Sequence, residues 1–438
     1  MTVTGGFTPG SGQHGVSKAF IARDAADLLL PGTPSSNHSE AKGRGVLLLA
    51  DGSRFEGDLF GAATIAEGEL VFTTNMTGYQ ESLTDPSFAG QVLTFTWPLL
   101  GNYGILPGIS ESAGVWPRGV VCRELMLEPD HRDCIGTVHD LLLAHGVPGI
   151  SGVDTRAITR RVREYGVILS IFGPLDREEE MLKTLGNMKS PDIEDLADEV
   201  SRNDAVLLNE GATDSEGNPL PRVAALDCGI KYNILRELCA RFEVLWCPPE
   251  MDWDELQTVY NIDALFCSNG PGDPAHPGKA TSARHTLAKA TKSGIPVMGI
   301  CLGHQLMGLA SGLRTYKLRY GHRGGNQPVL DLQTQKVSIT SQNHGFAVED
   351  PVQGMLAPHP SGANSGDVEN LHGCDVEVRY VNANDRTVEG LDVKGRPAFT
   401  IQFHPEACPG PHDASPLFDR FADLITQHLE VKANAKTR

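Results

Sequence analysis

No C-x-x-C pair occurs among the nine cysteines of this 438-residue chain, which stand at 122, 134, 228, 239, 247, 267, 301, 374 and 408. That excludes a zinc ribbon and a thioredoxin-type redox pair. The odd count and the mostly apolar surroundings read as reduced thiols in a reducing, cytoplasmic compartment, most of them inert core residues. H-E-x-x-H is also missing. His404, Cys408 and His412 have a spacing that would align them on a helix, but Pro405, Pro409 and Pro411 preclude one, so no metal is expected. The phosphate-cradling pattern G-x-x-x-x-G-K-[ST] is absent, so no ATP site of that kind is expected on this chain. No apolar run approaches the ~20 residues of a membrane helix, and "GVLLLA" (45–50) reads as a buried strand. Basic residues are scarce, 37 against 55 acidic ones, for a net charge of −18. That disfavours nucleic acid or an anionic membrane as partner and leaves a protein partner open.

The length suggests two or three domains. Residues 1–43 are punctuated by Gly, Ser and Pro and read as a mobile extension; "SKAFIARDAADLLL" (17–30) is compatible with one short helix. No charged segment followed by an apolar one opens the chain, so a secretory signal is not expected, and Asp24, Asp27 and Glu40 count against a transit peptide. Residues 44–203 mix short strands with later helical patterns and read as a smaller mixed α/β domain. Residues 204–221, rich in turn-formers and acids, read as a linker. From 222 to 438 strands and helices alternate: "RVAALDCG", "NILRELCARF", "EVLWCP", "DALFCSNGPGDP", "TSARHTLAKATKSG", "PVMGIC", "GHQLMGLASG". Short apolar strands between helices predict a parallel sheet covered on both faces, with ligands beyond the carboxyl ends of its strands. A last helix is expected over 413–429, capped by Asp413, with Leu417, Phe421, Leu424, Ile425 and Leu429 as its apolar stripe.

Gly299-Ile-Cys301-Leu-Gly303 has the form of a nucleophile elbow with sulfur in place of oxygen. Small neighbours permit the sharp strand-to-helix turn. The helix that follows aims its N–H groups at the sulfur, which favours thiolate, and the N–H of Leu302 is placed to stabilise an oxyanion. A buried structural cysteine is the bland alternative. "FHPEA" (403–407) supplies His404 as a base and, two residues on in extended chain, Glu406 to orient it. "SNGPGDP" (268–274) exposes backbone N–H groups in a rigid loop that suits a second oxyanion donor. His344 in "SQNHGFAV" either positions substrate or is simply buried.

"GICLGHQLMGLASG", "SNGPGDP" and "FHPEA" resemble the class I, triad-type glutamine amidotransferase domain, a flavodoxin-like parallel α/β fold. "VFTTNMTGYQESLTDPSFAGQ" (71–91), "GNYG" (101–104), "GVDTRAITRRVREYG" (152–166), "YGHRGGNQPV" (320–329), "SQNHGFAV" (341–348) and "HPEACPGPHDASPLFD" (404–419) resemble the carbamoyl-phosphate synthetase small-subunit family. Amidotransferases for GMP, CTP or anthranilate synthesis lack the amino-terminal block. The resemblance implies a triad of Cys301, His404 and Glu406. It implies glutamine contacts at Ser87, Gly270, Gly272, Leu302, Gln305, Asn343, Gly345 and Phe346, with Gly272 and Leu302 as the oxyanion hole. It implies a glutamyl thioester, and ammonia passed to a large subunit that holds ATP and magnesium and makes carbamoyl phosphate from bicarbonate. The holoenzyme would be a heterodimer, or a higher oligomer of it, serving pyrimidine or arginine synthesis. Competing expectations are an amidotransferase for another synthetase, a stand-alone glutaminase, or a non-catalytic relative. The extension, the long polar segment 357–378, Cys408 in place of a more usual serine, and "LDCGIKYN" (226–233) depart from the family pattern.

Overall fold

The computed structural model describes residues 40–351 and 369–436. The expected helix over 17–30 lies outside the described residues, as does most of the polar segment 357–378. Residues 40–43 lie against the first body: Ala41 N–H donates to Gly61 O at 2.9 Å.

The first body carries nine strands: β1 (Arg44–Leu49), β2 (Arg54–Gly61), β3 (Ala66–Thr73), β4 (Gln91–Phe95), β5 (Leu99–Leu100), β6 (Gly119–Val121), β7 (Glu124–Leu125), β8 (Pro148–Ser151) and β9 (Ile168–Pro174). Seven close a barrel in the order β1-β2-β8-β6-β4-β3-β9, and β5 and β7 form a two-stranded ribbon. Closure comes from β9 pairing antiparallel with β1, Leu47 opposite Phe172. The alternation in β1 explains its two faces. Leu47 and Leu49 join Leu70, Val92, Ile150 and Phe172 in one core, while Val46 and Leu48 meet Ile171, Met181 and Leu185 in another. Helices α1 (Tyr79–Thr84), α2 (Val138–Ala144), α3 (Thr155–Tyr165), α4 (Glu178–Leu185) and α5 (Leu196–Val200) belong to this part of the chain. The expected mixed α/β domain is therefore a closed barrel with small helices around it.

The second body is a ten-stranded sheet among the described residues. Its strands are β10 (Val206–Leu208), β11 (Arg222–Leu226), β12 (Glu243–Cys247), β13 (Ala264–Cys267), β14 (Val297–Ile300), β15 (Thr315–Asp331), β16 (Val337–Val348), β17 (Val376–Asn382), β18 (Val388–Val393) and β19 (Ala398–Ile401). Residues 204–221, expected as a linker, connect the bodies and also supply β10, which pairs antiparallel with β12. Strands β12-β11-β13-β14-β19 are parallel, in the flavodoxin-like order. The expectation of a parallel sheet holds for these five; β18, β16, β15 and β17 extend it antiparallel, because short turns return the chain directly.

The remaining helices are α6 (Tyr232–Cys239), α7 (Trp253–Thr258), α8 (Lys279–Ser293), α9 (Leu302–Ala310) and α10 (Pro416–Lys436). Strand alternation splits the core. Val223 and Ala225 face Leu235, Leu238, Phe418, Phe421 and Ile425; Ala224 and Leu226 face Ala283, Leu287, Leu306 and Met307. Gly294 ends α8 in the left-handed region at φ 85°, as its sequence position predicts. Asp413 does not cap α10: its carboxylate accepts from Ile339 N–H at 2.9 Å, and the helix starts at Pro416. Phe421 meets the Phe242 ring edge-on at a centroid distance of 5.7 Å. Phe421→Ala is expected to destabilise the chain by about 3–5 kcal/mol in denaturant unfolding; an unchanged midpoint would contradict this packing.

Candidate active site

Cys301 sits between β14 and α9 with φ 53° and ψ −102°. Positive φ is strained for a residue with a side chain. Its neighbours show why only glycine fits there. A Cβ on Gly303 would come 2.3 Å from Cys267 O, and one on Gly299 would come 2.8 Å from Gly303 O. Cys301 N–H donates to Ile401 O at 2.9 Å, which ties the turn to β19. The thiol is buried and donates to Asn343 O at 3.7 Å.

Ile300 pairs with Ile401, so the chain leaves neighbouring strands at the same end toward Cys301 and toward His404. His404 Nδ1 lies 2.7 Å from Glu406 Oε1, and Lys231 Nζ lies 2.6 Å from the same oxygen. Burial alone would raise the Glu406 carboxyl, but Lys231 and then His404 outweigh it and hold it down at about 2. An ionised carboxylate only accepts, so Nδ1 carries the hydrogen and Nε2 is left as an acceptor. Nε2 is buried and has no hydrogen-bond partner within the protein. Burial pushes the Cys301 thiol up to about 12, with Asp85 and Glu406 adding to the effect and Lys231 opposing it. Burial thus works against the thiolate that the helix terminus was expected to favour.

One cavity brings together Ser87, Gly270, Gly272, Cys301, Gln305, Asn343, Gly345 and Phe346. Leu302 lies behind this wall, against Gly270. His404 lines a second cavity, between the barrel and the sheet, and Asn343 borders both. Ser87 arrives on a tight turn after α1, where Asp85 Oδ1 accepts from Ser87 N–H at 2.9 Å. Asn269 Nδ2 donates to Ser87 Oγ, and Asn343 Nδ2 to Asp85 Oδ2, both at 2.9 Å. The barrel therefore supplies part of the site. Gly272 has φ 88°, and a Cβ on Gly270 would stand 2.0 Å from Cys228 O, which accounts for both glycines of the loop. Gln305 Nε2 donates to Phe346 O at 2.9 Å.

His344 is buried, its Nδ1 at 2.7 Å from Phe346 O and its Nε2 at 2.7 Å from Gln342 Oε1. His322, His344 and Glu389 come close enough to suggest metal ligands. Several of their atoms are bonded within the protein: His322 Nε2 lies 2.7 Å from Asp385 Oδ2, and Glu389 Oε2 accepts from Gln342 Nε2 at 3.0 Å, while His322 Nδ1 has no hydrogen-bond partner and lies 3.5 Å from Glu389 Oε1. These bonds tie the three side chains to Asp385 and Gln342.

Two family models match the chain: "Carbamoyl-phosphate synthase small chain, CPSase domain" over residues 47–172, and "Glutamine amidotransferase class-I" over residues 224–424. The carbamoyl phosphate synthase small chain of Methanopyrus kandleri is 41% identical over 391 residues, covering 88% of this chain and 100% of that one. Those of Methanocaldococcus jannaschii and Staphylococcus saprophyticus are 42% and 40% identical, over 86% and 87% of this chain and 98% and 96% of theirs.

The chain belongs to the carbamoyl phosphate synthase small chain family.

In this family member, sequence reasoning missed Lys231, Asp85 and Asn269. Lys231 stands in the "LDCGIKYN" segment, where a lysine reads as a solvated side chain; a lysine inside an otherwise apolar strand-to-helix junction was the available signal. It is buried beside Glu406, Asp85 and Glu111. Removing one partner of a buried pair strands the other charge. Lys231→Met is expected to lose about 3–5 kcal/mol near neutral pH. The sign with pH follows from Glu406. In the parent, its depressed value contributes stability above about 4.5 that is lost toward 2. In Lys231→Met the unpaired carboxyl takes up its proton earlier, so the stability gap narrows on acidification. A gap that stays constant from neutral pH to the acid limb would contradict the pairing.

Proposed function

We propose that this chain is the glutamine-hydrolysing subunit of a carbamoyl phosphate synthase. The observation that carries the reading is the cavity itself. It places a strained elbow cysteine, the glycine loop and a barrel serine around one space, with an oriented imidazole at the end of the adjacent strand. In this reading His404 Nε2 takes the Cys301 proton as the sulfur attacks the side-chain amide carbon of glutamine. The N–H groups of Gly272 and Leu302 receive the developing oxyanion. The imidazolium returns its proton to the leaving nitrogen, the carbon–nitrogen bond breaks, and ammonia departs from a glutamyl thioester. Water, deprotonated by the same imidazole, then cleaves the thioester to glutamate and restores the thiol. The remaining contacts of glutamine are Ser87, Gly270, Gln305, Asn343, Gly345 and Phe346.

Ammonia leaves through the second cavity toward a large chain, which supplies the ATP and magnesium sites and joins it to activated bicarbonate. The names of the relatives support the small-chain assignment, and the barrel supports it over other amidotransferases. The chain works in the cytoplasm as a heterodimer with that large chain, alone or in a higher oligomer. No described helix is long and apolar enough to cross a membrane.

Cys301→Ser is expected to abolish glutamine-dependent carbamoyl phosphate synthesis by the assembled enzyme and to spare synthesis from free ammonia. Equal loss of both activities would overturn the assignment. His404→Asn is expected to lower the glutamine-dependent kcat/KM by roughly a hundredfold or more while sparing synthesis from free ammonia. A variant as active on glutamine as the parent would remove His404 as the base.

A further inference from the structure

Strand β15 is interrupted twice, between Lys317 and His322 and between Gly324 and Gln327. Arg323 lies between these irregularities, flanked by Gly321 at φ 70° and Gly324 at φ 135°. A Cβ on Gly321 would stand 2.2 Å from Arg323 Nη1, so the glycine makes room for the guanidinium. Arg323 is only 5% exposed, yet it lines the same cavity as Cys301. Its Nη2 lies over Gly345, one of the residues placed at glutamine, 3.4 Å from where a Cβ would be.

Among the described residues this cation has no anion of its own. Nη1 donates to Tyr320 O at 2.8 Å, and Nε is buried without a partner. Among the described residues no carboxylate stands within ion-pair distance of it. Glu69 and Asp192 line the cavity as well, but both are bridged by Lys317. Burial lowers the Arg323 guanidinium to about 10, with Glu69, Cys301 and Asp192 opposing, so it stays charged at neutral pH. A buried, charged guanidinium with an unpartnered Nε facing a cavity is costly unless an anion completes it. Glutamine brings one. With its side-chain amide at Cys301, its α-carboxylate is the only anionic group that enters with it.

We propose that Arg323 binds the α-carboxylate of glutamine and so selects a free amino acid over other primary amides. This rests on the glutaminase reading. The test uses the full chain assembled with its large chain, and two substrates. One is glutamine; the other is γ-aminobutyramide, which keeps the amine and the side-chain amide and lacks the α-carboxylate. Wild-type release of ammonia from glutamine checks the glutaminase reading by itself, since its absence would sink that reading whatever Arg323 does.

Arg323→Met is expected to raise KM for glutamine by roughly tenfold to a hundredfold with kcat nearly kept. Its kcat/KM for γ-aminobutyramide should be little changed, so the preference between the two substrates collapses. Equal loss on both substrates, or no loss on either, would overturn the proposal. Arg323→Lys keeps the buried charge and loses the forked geometry. It is expected to retain part of the preference. If Arg323→Met is not recovered folded, Arg323→Lys decides: a preference equal to wild type overturns the proposal, and a clear fall with kcat kept supports it.

Discussion

The turn at Cys301 is the constraint on which the rest of the second body depends. A non-glycine residue at φ 53° and ψ −102° costs on the order of 1–3 kcal/mol and persists only where its surroundings leave no alternative. Here they leave none. Its N–H is committed to Ile401 O, Gly303 is pressed against the carbonyl of Cys267, and every residue of α9 is buried. Three adjacent parallel strands, β13, β14 and β19, must therefore keep their register for the turn to exist. The same register brings the loop after β13, the sulfur after β14 and the imidazole after β19 to one end of the sheet. The arrangement is rigid because the strain and the packing are the same contacts.

That end of the sheet is not a complete site by itself. The barrel closes it through Asp85 and Ser87, which hold Asn343 and Asn269 by their side-chain amides. Glu111 joins the bodies again, its backbone oxygen accepting from Tyr232 N–H and its carboxylate from Asn233 N–H at the start of α6. Lys231, one residue earlier, points its charge at Glu406. A shift of the barrel relative to the sheet would therefore disturb the cavity wall and the electrostatics of the imidazole together. The hydrogen bonds of Asp85, Ser87 and Glu111 to the second body are buried or partly buried, which favours one relative position of the bodies over a set of them.

What the sequence made legible follows from what is local. The five parallel strands are buried on both faces, so they read as short apolar runs. The elbow and "FHPEA" are contiguous in the chain, so their spacing was informative. The barrel was not legible, because closure depends on β9 finding β1 across the whole domain, and nothing in either strand names its partner. The antiparallel half of the sheet was missed for a similar reason: β15 is broken by two irregularities that hide its length. Asp413 looked like a cap because the pattern of a cap is local. The structure gives its carboxylate to Ile339, a contact the chain brings from elsewhere. Lys231 was invisible because a lysine is read as exposed unless its partners are known, and Asp85 and Glu111 come from the other body.

Electrostatics at the sulfur show which effect wins. The N-terminus of α9 favours a thiolate by about 0.3–2 kcal/mol. Burial outweighs it and pushes the Cys301 thiol up, the Leu302 N–H at the helix start being among the groups that oppose burial. In the proposed reaction the nucleophile is made in the step that uses it, when an imidazole with a free Nε2 accepts the proton of the thiol. Glu406 keeps Nε2 free by holding the hydrogen on Nδ1. Lys231, bonded to the same carboxylate oxygen, compensates much of the Glu406 charge. What Glu406 passes to His404 is thus a fixed tautomer and direction. In the proposed reaction a base held in this way presents a free Nε2 to the sulfur proton and, once charged, gives that proton up to the departing nitrogen.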